Sequence, residues 1–372
     1  MVHCTNEESV FTMKKKNAIL TFHSAPNYGA FLQAYALQCA VTEIDPNVEI
    51  IDYQPDFLRK NYSPYRIKGN LMKSLLRILL FSMRDRKKIK VFQSNISNYL
   101  KLSHESIRDE ADLELVVNRY KNIICGSDQI WNTETTDQNY NYFLPFDLEE
   151  TTKNSYAASF GNLDFENDPK IMAYTDDFEH LSLRESNSAM KLEICSNNYV
   201  RSHVDPTLLL TAKQWNSFAN KDRFVSERYV LIYTVKQPKD LIDKAIAFAE
   251  EKGLKIIQLA NRKKDSRIDY VMNPSPSEFL SYFRDADYIF TNSFHGSVFS
   301  LLFEKPYAIE LLAADGCLNS RCQSLFADLG ISLDFDRDVL EMDRDIDWRE
   351  IHEEILKGRM RGLAYLSRIT AK

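Results

Sequence analysis

Residues 286–302 read ADYIFTNSFHGSVFSLL, and the order of residue types in this stretch decides the fold. The apolar run at 288–290 consists of β-formers and predicts a short buried strand. The next three residues, 291–293, are polar, and apolar residues return at helical spacing from Gly296 onward. A strand, a short polar turn and a helix form half of a βαβ unit, from which parallel α/β sheets are built. His295 is therefore predicted to lie in the turn, where unpartnered backbone N–H groups attract anions.

The same alternation of strands and helices extends along the chain. Strands are predicted at 17–22, 48–53, 120–125, 154–160, 181–183, 229–235 and 255–260, and helices at 30–42, 239–252, 275–284 and 348–369. This alternation predicts an α/β fold with parallel sheets. A chain of 372 residues is longer than a single hydrophobic core usually accommodates, so two domains are predicted. Pro206 cannot pair in a central strand, so it favours a boundary between residues 1–204 and residues 205–372, the second of which includes the C-terminal helix.

Composition restricts the class of protein. The 44% hydrophobic and 27% charged residues are typical of a soluble globular protein. A net charge of −6 gives no support for general nucleic-acid binding. No apolar run reaches the roughly 20 residues of a membrane-spanning helix, and the N-terminus lacks the pattern of a signal peptide, so we expect a cytoplasmic protein. We expect Met13 to be the natural start, because the first predicted strand follows it closely.

Three titratable or charged side chains lie at the ends of predicted strands, and each has two interpretations. Asp128 either faces a ligand cleft or caps the following turn. Arg184 either holds a carboxylate or phosphate through two parallel hydrogen bonds, or forms a salt bridge, for example to Glu185. His295 is either catalytic or structural. Ligands of open α/β sheets bind at the carboxyl ends of the strands, which is where all three residues are predicted to lie.

Residues 68–91 combine positive charge with apolar residues at helical spacing. The segment carries eight Lys or Arg residues and one acid, Asp85. Its apolar stripe consists of Leu71, Leu75, Leu76, Leu79 and Leu80. The pattern predicts an amphipathic helix, which either packs on the core with a solvated charged face or rests on an anionic membrane. The second interpretation places the protein at the inner face of the membrane, as a peripheral protein.

Seven segments, taken in order, resemble the signature of the polysaccharide pyruvyl transferase family. They cover most of residues 18–331 and read TFHSAPNYGAFLQAYAL at 21–37, IICGSDQIWN at 123–132, SYAASFG at 155–161, LSLRES at 181–186, VDPTLLL at 204–210, TNSFHGSVFSLLFEKPYAI at 291–309 and NSRCQSLFADLGI at 319–331. Seven such segments in order are specific to the family and less specific to the substrate.

The resemblance implies a fold and a reaction. The fold would be two Rossmann-like domains with parallel sheets facing across a cleft, as in GT-B glycosyltransferases, with the acceptor on the first domain and the donor anion on the second. The reaction would transfer the enolpyruvyl group of phosphoenolpyruvate onto two hydroxyls of a sugar, forming a cyclic pyruvate ketal in capsular or exopolysaccharide biosynthesis. Phosphoenolpyruvate would be a donor substrate, and the scheme requires no cofactor or metal.

The resemblance also gives the residues roles. His295 would be the general acid or a hydrogen-bond donor to phosphate, and Asp128 the base that takes a proton from the acceptor hydroxyl. Arg184 would hold the donor carboxylate or phosphate, with Arg321 as a second anion ligand. The other expected substrate contacts are Asn27, Tyr28, Gln33, Ser293, Gly296 and Ser320. Ser293 stands where some relatives carry an arginine, which puts the phosphate clamp of the family in question here.

Two alternatives stay open. One is a GT-B glycosyltransferase that uses a nucleotide sugar, and the other is a non-catalytic glycan-binding relative. The chain has no GxGxxG fingerprint, no GxxxxGK[ST] phosphate loop and no Cys/His metal-ligand spacing. The acceptor, a lipid-linked oligosaccharide or a finished polymer, is set by loops at 54–70 and 133–152 that contain no readable motif.

Overall fold

The structure is a computed structural model. It describes residues 16–67, 69–148, 150–196, 198–235, 238, 240–260, 265–310, 317–331 and 346–371. Met13, Lys68 and Lys239 lie outside this part of the chain. The side chains of residues 317–320, and therefore of Ser320, also lie outside it.

The first sheet is built from short apolar strands in the first half of the chain. Its strands are β1 (Asn17–Leu20), β2 (Glu49–Ile50), β3 (Asn122–Cys125) and β4 (Thr152–Ser155). They are all parallel and lie in the order β2-β1-β3-β4. A parallel pair, β5 (Leu181–Leu183) and β6 (Val200–Ser202), continues this layer through single bridges between Asn154 and His180 and between Ala158 and Leu183.

The second sheet is formed by the second half of the chain. Its strands are β7 (Tyr229–Tyr233), β8 (Lys255–Leu259), β9 (Asp269–Val271), β10 (Tyr288–Thr291) and β11 (Tyr307–Ile309). They lie in the order β11-β10-β7-β8-β9, and every pairing is parallel. Nearly every residue of β7 and β10 is buried, as expected for central strands covered by helices on both faces. The prediction of an α/β fold with parallel sheets is confirmed.

Helices connect the strands and cover the sheets. Those that precede β7 are α1 (Tyr28–Thr42), α2 (Asp56–Tyr62), α3 (Leu71–Tyr99), α4 (Glu110–Val117), α5 (Pro169–Asp176), α6 (Ser186–Cys195) and α7 (Ala212–Phe218). Those that follow are α8 (Leu241–Lys252), α9 (Pro276–Asp285), α10 (Phe294–Leu302), α11 (Cys317–Asp328) and α12 (Trp348–Thr370). The sequence pattern did not predict α2, α4, α5, α6 and α7, which are short and carry weak periodicity.

The C-terminal helix α12 packs against the first sheet. The amide of Asn122 donates a hydrogen bond to the Ile369 carbonyl, and the Tyr365 hydroxyl donates to the Ser155 carbonyl. Gly362 permits this approach, because a Cβ there would stand 2.4 Å from the Tyr156 hydroxyl. The helix therefore returns from the second half of the chain to the first.

Several predicted strands are shorter than expected, and the largest differences are at 48–53, where β2 covers only Glu49–Ile50, and at 154–160. The prediction of a strand over 154–160 is wrong beyond Ser155, where β4 ends. Ala157 takes a positive φ of 47°, in the left-handed region, which interrupts an extended strand. Three short strands, β6, β9 and β11, were not predicted.

Within the described part of the chain, none of the helices combines the length and the apolar character that crossing a lipid bilayer requires.

Candidate functional site

A cavity of about 810 Å³ opens where the carboxyl ends of the two sheets face each other. It is lined by Asn27 and Gly29 after β1, Asp128 after β3, and Ser293 and His295 after β10. This is the position at which parallel α/β sheets bind ligands. The structure therefore brings together candidate residues that are 268 positions apart in the chain, from Asn27 to His295.

His295 lies in the first turn of α10, at the floor of the cavity. The helix begins at Phe294, two residues earlier than predicted, because the Ser293 side chain caps it by accepting the backbone N–H of Gly296 at 3.3 Å. The prediction that His295 lies in the preceding turn is thus wrong, because His295 is the second residue of α10. His295 is 7% exposed, and its Nε2 has no hydrogen-bond partner among the described residues.

Gly29 allows the imidazole of His295 to occupy this place. A Cβ on Gly29 would stand 2.2 Å from Nδ1 of His295, far inside contact distance. The first turn of α1 and the first turn of α10 therefore meet at a glycine. Gly296 serves packing in the same way, because a Cβ there would stand 2.2 Å from the Thr291 hydroxyl. Gly296 contributes a backbone N–H to the cap of its own helix, rather than to a ligand.

Arg184 is held in the centre of a group of carboxylates. Its guanidinium contacts Asp205 at 3.0 Å, Glu185 at 3.1 Å and Asp128 at 3.9 Å. Burial disfavours its charge, but Glu185, Asp205 and Asp128 outweigh burial and raise its pKa. The second terminal nitrogen, NH2, is buried and has no hydrogen-bond partner within the described residues. Arg184 forms the predicted salt bridge to Glu185 and keeps one donor unused, and its role as an anion ligand stays a prediction. It does not line the cavity itself.

Asp205 is the main residue that the sequence pattern missed. It is 1% exposed and accepts hydrogen bonds from Arg184 and from the backbone and hydroxyl of Thr207. Its Oδ1 lies 3.9 Å from Nε2 of His295. Burial opposes ionisation, yet His295, Arg184 and Thr207 together lower the pKa of Asp205. An anionic Asp205 therefore stands behind His295 and balances the charge of an imidazolium when one forms.

Burial lowers the pKa of His295, while Asp205 and Asp128 act in the opposite direction. Burial wins, so the imidazole favours its neutral form when the cavity contains no anion. An anionic ligand would add a third negative charge beside the ring and favour protonation. His295 is thus placed to take up a proton together with an anion and to transfer it later.

Arg321 brings a second cation to the cavity wall. It belongs to α11, lines the cavity and is 8% exposed. Its Nε has no hydrogen-bond partner in the described part of the chain. Burial lowers its pKa first, and the neighbouring positive charge of Arg184 lowers it further. A buried cation that forms no ion pair with the described residues is costly, and a bound anion would remove that cost.

Asp128 reaches the cavity from a special backbone position. Its φ is 67°, in the left-handed region, and its carbonyl accepts a hydrogen bond from the Ser159 N–H. Gly126 just before it is required, because a Cβ there would stand 1.9 Å from the carbonyl oxygen of Tyr156. The carboxylate lines the cavity instead of capping a helix, which agrees with the functional interpretation.

Tyr28 and Gln33 use their polar groups within the fold. The Tyr28 hydroxyl donates to the Pro274 carbonyl at 2.7 Å, and its ring stacks on Phe279 at 4.3 Å. The Gln33 amide donates to Thr21 and to the Phe22 carbonyl and accepts the Ser127 N–H. Neither residue lines the cavity, so the structure places both outside the group of sugar-contact candidates. Asn27, in contrast, lines the cavity and also caps α1.

A second wall of the cavity is formed by residues that were not predicted. It carries charged and aromatic side chains from α2, from the loop that follows it and from the loop after β3. These residues are Phe57, Lys60, Tyr62, Arg66, Glu134 and Asp137. No sequence pattern identified these residues, because they belong to the two loop regions without a readable motif. Among the described residues, no group of three His, Cys, Asp or Glu side chains is arranged to hold a metal ion.

The family profile described as polysaccharide pyruvyl transferase matches residues 27–307. That match runs from the start of α1 to the start of β11 and includes Asp128, Arg184 and His295. The chain belongs to the polysaccharide pyruvyl transferase family. No curated protein matches the chain closely enough to add to this assignment.

Solved structures support the fold. The chain is similar to a putative UDP-N-acetylglucosamine 2-epimerase from Listeria monocytogenes, with a TM-score of 0.54, 9% identity, and 95% of this chain and 94% of that chain covered. It is also similar to S. aureus MnaA in complex with UDP, with a TM-score of 0.51, 10% identity, and 91% and 90% covered. At these identities the likeness shows the fold alone, and the fold is the GT-B-like arrangement of two Rossmann-like domains.

Proposed function

We propose that this member of the polysaccharide pyruvyl transferase family transfers the enolpyruvyl group of phosphoenolpyruvate onto two hydroxyls of a sugar and forms a cyclic pyruvate ketal. One observation carries the proposal. Buried donors of His295, Arg184 and Arg321, all without hydrogen-bond partners among the described residues, gather beside the carboxylate of Asp128. Such a set fits a donor that brings negative charge and an acceptor that gives up protons.

The donor carries a phosphate and a carboxylate, and the site offers cations for both. Arg321 lines the cavity and presents an unused N–H, which suits one of the two anionic groups. The free NH2 of Arg184 lies deeper and assists, while its other nitrogens stay engaged with Asp205 and Glu185. Ser293 is committed to capping α10. Arg321 therefore takes the role that an arginine at position 293 has in some relatives.

The proton inventory of the reaction balances with two titratable groups. Two C–O bonds form at the central carbon of the donor, and its bond to the phosphate oxygen breaks. Of the two hydroxyl protons of the sugar, one ends on the methylene carbon, which becomes a methyl group, and the other leaves with phosphate. We assign Asp128 to accept a hydroxyl proton and His295 to deliver a proton to the methylene carbon or the departing phosphate.

Asp205 is the positioning residue for this exchange. It lies behind His295 and contacts Arg184 as well, so one buried carboxylate orients both donors. The scheme needs no cofactor and no metal. The product would enter capsular or exopolysaccharide biosynthesis, and we place the reaction in the cytoplasm, where phosphoenolpyruvate is available.

The test is a transfer assay with two possible donor classes. Purified protein is incubated with phosphoenolpyruvate or with a panel of nucleotide sugars, together with a set of saccharide acceptors. The proposal predicts release of inorganic phosphate coupled to a ketal-modified glycan, detected by mass spectrometry and lost after mild acid. Glycosyl transfer from a nucleotide sugar, without use of phosphoenolpyruvate, would instead establish a glycosyltransferase. Specific glycan binding without turnover of any donor would indicate a non-catalytic relative.

A further inference from the structure

The N-terminal half of α3 exposes an unusually apolar face. Seven large apolar side chains between Leu71 and Met83 are 51% to 83% exposed. They are Leu71, Met72, Leu75, Leu76, Leu79, Leu80 and Met83. At 100° per residue these positions span one half of the helix circumference. A group of this size on one face of a helix marks an interaction surface rather than scattered exposure.

The same face becomes basic in the following turns of the helix. Arg86, Lys87 and Lys90 are exposed and continue the angular sector of Leu76 and Met83. The segment from Leu71 to Lys90 contains one acid, Asp85, which is only partly exposed and paired with Arg84 at 3.1 Å. The apolar face and its basic extension thus form one continuous surface, which we call the α3 face.

The opposite side of α3 is fixed to the protein. Phe92 is 1% exposed and Ile96 is 9% exposed, and both belong to the core that contains Tyr28. The carbonyl of Arg84 accepts a hydrogen bond from Asn273 of the second half of the chain. The helix therefore keeps a fixed orientation, with the α3 face turned away from the core.

The α3 face is also close in the chain to the mouth of the cavity. The outer wall of the cavity includes residues of α2 and Arg66. Fewer than ten residues separate Tyr62, where α2 ends, from Leu71, where α3 begins. Arg86 of the α3 face lies over the ring of Tyr65, which precedes Arg66 of the cavity wall, so a surface bound through α3 would lie near this wall.

We propose that the α3 face docks on an anionic lipid bilayer, with the leucines and methionines inserted among the acyl chains and the basic residues at the headgroups. This inference is independent of the donor and of the reaction. Apolar insertion together with Lys and Arg contacts is how amphipathic helices bind in the interface of membranes. A second copy paired through the same face would cover the leucines but place like charges against Arg86, Lys87 and Lys90, so charge complementarity favours the bilayer.

The experiment measures co-sedimentation of the full chain with vesicles of phosphatidylcholine alone and of phosphatidylcholine mixed with phosphatidylserine. We expect binding that requires the anionic lipid and decreases with salt. A triple variant, R86Q, K87Q and K90Q, should weaken the partition roughly a hundredfold, from about fivefold for each charge near an anionic surface. A second triple variant, L76Q, L79Q and M83Q, should abolish insertion.

A matched control exists on α6, where Met190 and Ile194 are 62% and 81% exposed. The variant M190Q and I194Q removes exposed apolar area away from α3 and should bind vesicles like the wild type. Absence of wild-type binding to anionic vesicles would overturn the proposal. So would a dimer in sedimentation equilibrium that the L76Q, L79Q and M83Q variant converts to a monomer, because the second copy would then be the occupant.

Discussion

Two junctions between a strand and a helix face the same cavity, and they treat their polar side chains in opposite ways. At the start of α1, Tyr28 and Gln33 are fully engaged with backbone carbonyls and N–H groups of the fold. At the start of α10, His295 is equally buried, but its Nε2 has no hydrogen-bond partner in the described part of the chain. Both junctions carry segments typical of the family.

The comparison separates structural from functional polar residues. A buried donor normally has a partner, because leaving it without one costs about 1–3 kcal/mol. Side chains of the α1 junction satisfy this rule and hold the two sheets together. His295, Arg184 and Arg321 break it in one place, which indicates that a ligand completes the set.

The largest effect on stability is expected from substitution of Arg184, which forms salt bridges to Glu185 and Asp205. Arg184→Met leaves the buried carboxylates of Asp205 and Glu185 without their cation, and we expect a loss of about 3–5 kcal/mol in the free energy of unfolding. Arg321→Met should leave stability unchanged or raise it by about 1 kcal/mol, because it removes a buried charge that no described carboxylate pairs with. Urea denaturation measures the free energy of unfolding of both variants. Equal losses in the two variants would contradict the distinction between a salt-bridging Arg184 and an anion-binding Arg321.

The next effect concerns turnover. His295→Gln should reduce the rate of transfer roughly 10²–10⁴-fold, the usual contribution of a general acid or base, while stability changes by less than about 1 kcal/mol. Steady-state kinetics and thermal melts of the same preparation measure the two. Gly29→Ala is the companion variant. Its methyl group would displace the imidazole and should lower turnover without removing any polar atom.

The residues of the α1 junction should show the reverse behaviour. Gln33→Leu leaves the N–H of Ser127 without its acceptor, so we expect a loss of about 1–3 kcal/mol in stability. Tyr28→Phe loses one hydrogen bond and should cost about 1 kcal/mol. Donor affinity of Tyr28→Phe should match the wild type. A donor affinity that fell in Tyr28→Phe with stability unchanged would return this residue to the substrate site.

The smallest effect is a pH dependence. Burial holds the pKa of His295 below the ordinary histidine value of 6.5, so the folded state prefers the neutral ring. Above pH 6.5 the His295 ring is neutral in both the folded and the unfolded protein, so its burial does not lower the free energy of unfolding. As pH falls, the unfolded chain binds a proton that the folded chain resists, and the free energy of unfolding decreases. His203, with a pKa lowered to about 4 by burial, acts in the same direction in every variant.

The difference between wild type and His295→Gln isolates this contribution. We expect the wild type to lose more stability than the variant between pH 7 and pH 5, measured by urea denaturation across that range. Parallel pH profiles of the two proteins would show that His295 does not resist protonation. Saturation with an anionic donor should reduce the difference, because the bound charge favours the imidazolium.

The sequence predicted the parts of the site that local pattern can carry. The apolar run before Thr291 and the glycine at 296 located the β10–α10 junction, and the match to GSDQIWN located Asp128. Asp205 was missed as a site residue because its role depends on contacts with Arg184 and His295, which come from distant segments.

Gln33 was predicted as a sugar contact, and its actual role also depends on contacts from distant segments. A glutamine in a helix that follows a glycine-containing loop is a reasonable ligand contact. In the folded protein, however, backbone groups that follow β1 and β3 engage both the amide nitrogen and the amide oxygen of Gln33. The α3 face is the reverse case. Its amphipathic pattern was readable in the sequence, but only the structure shows that the leucines face outward.

The most direct test of the central claim is calorimetric titration of phosphoenolpyruvate into the wild type, Arg321→Met and Tyr28→Phe, repeated in buffers of different ionisation enthalpy. The account predicts saturable binding with proton uptake in the wild type, the same in Tyr28→Phe, and binding at least tenfold weaker in Arg321→Met. Equal affinity in all three proteins, with no proton uptake, would show that the unpartnered donors of His295 and Arg321 do not form the anion site.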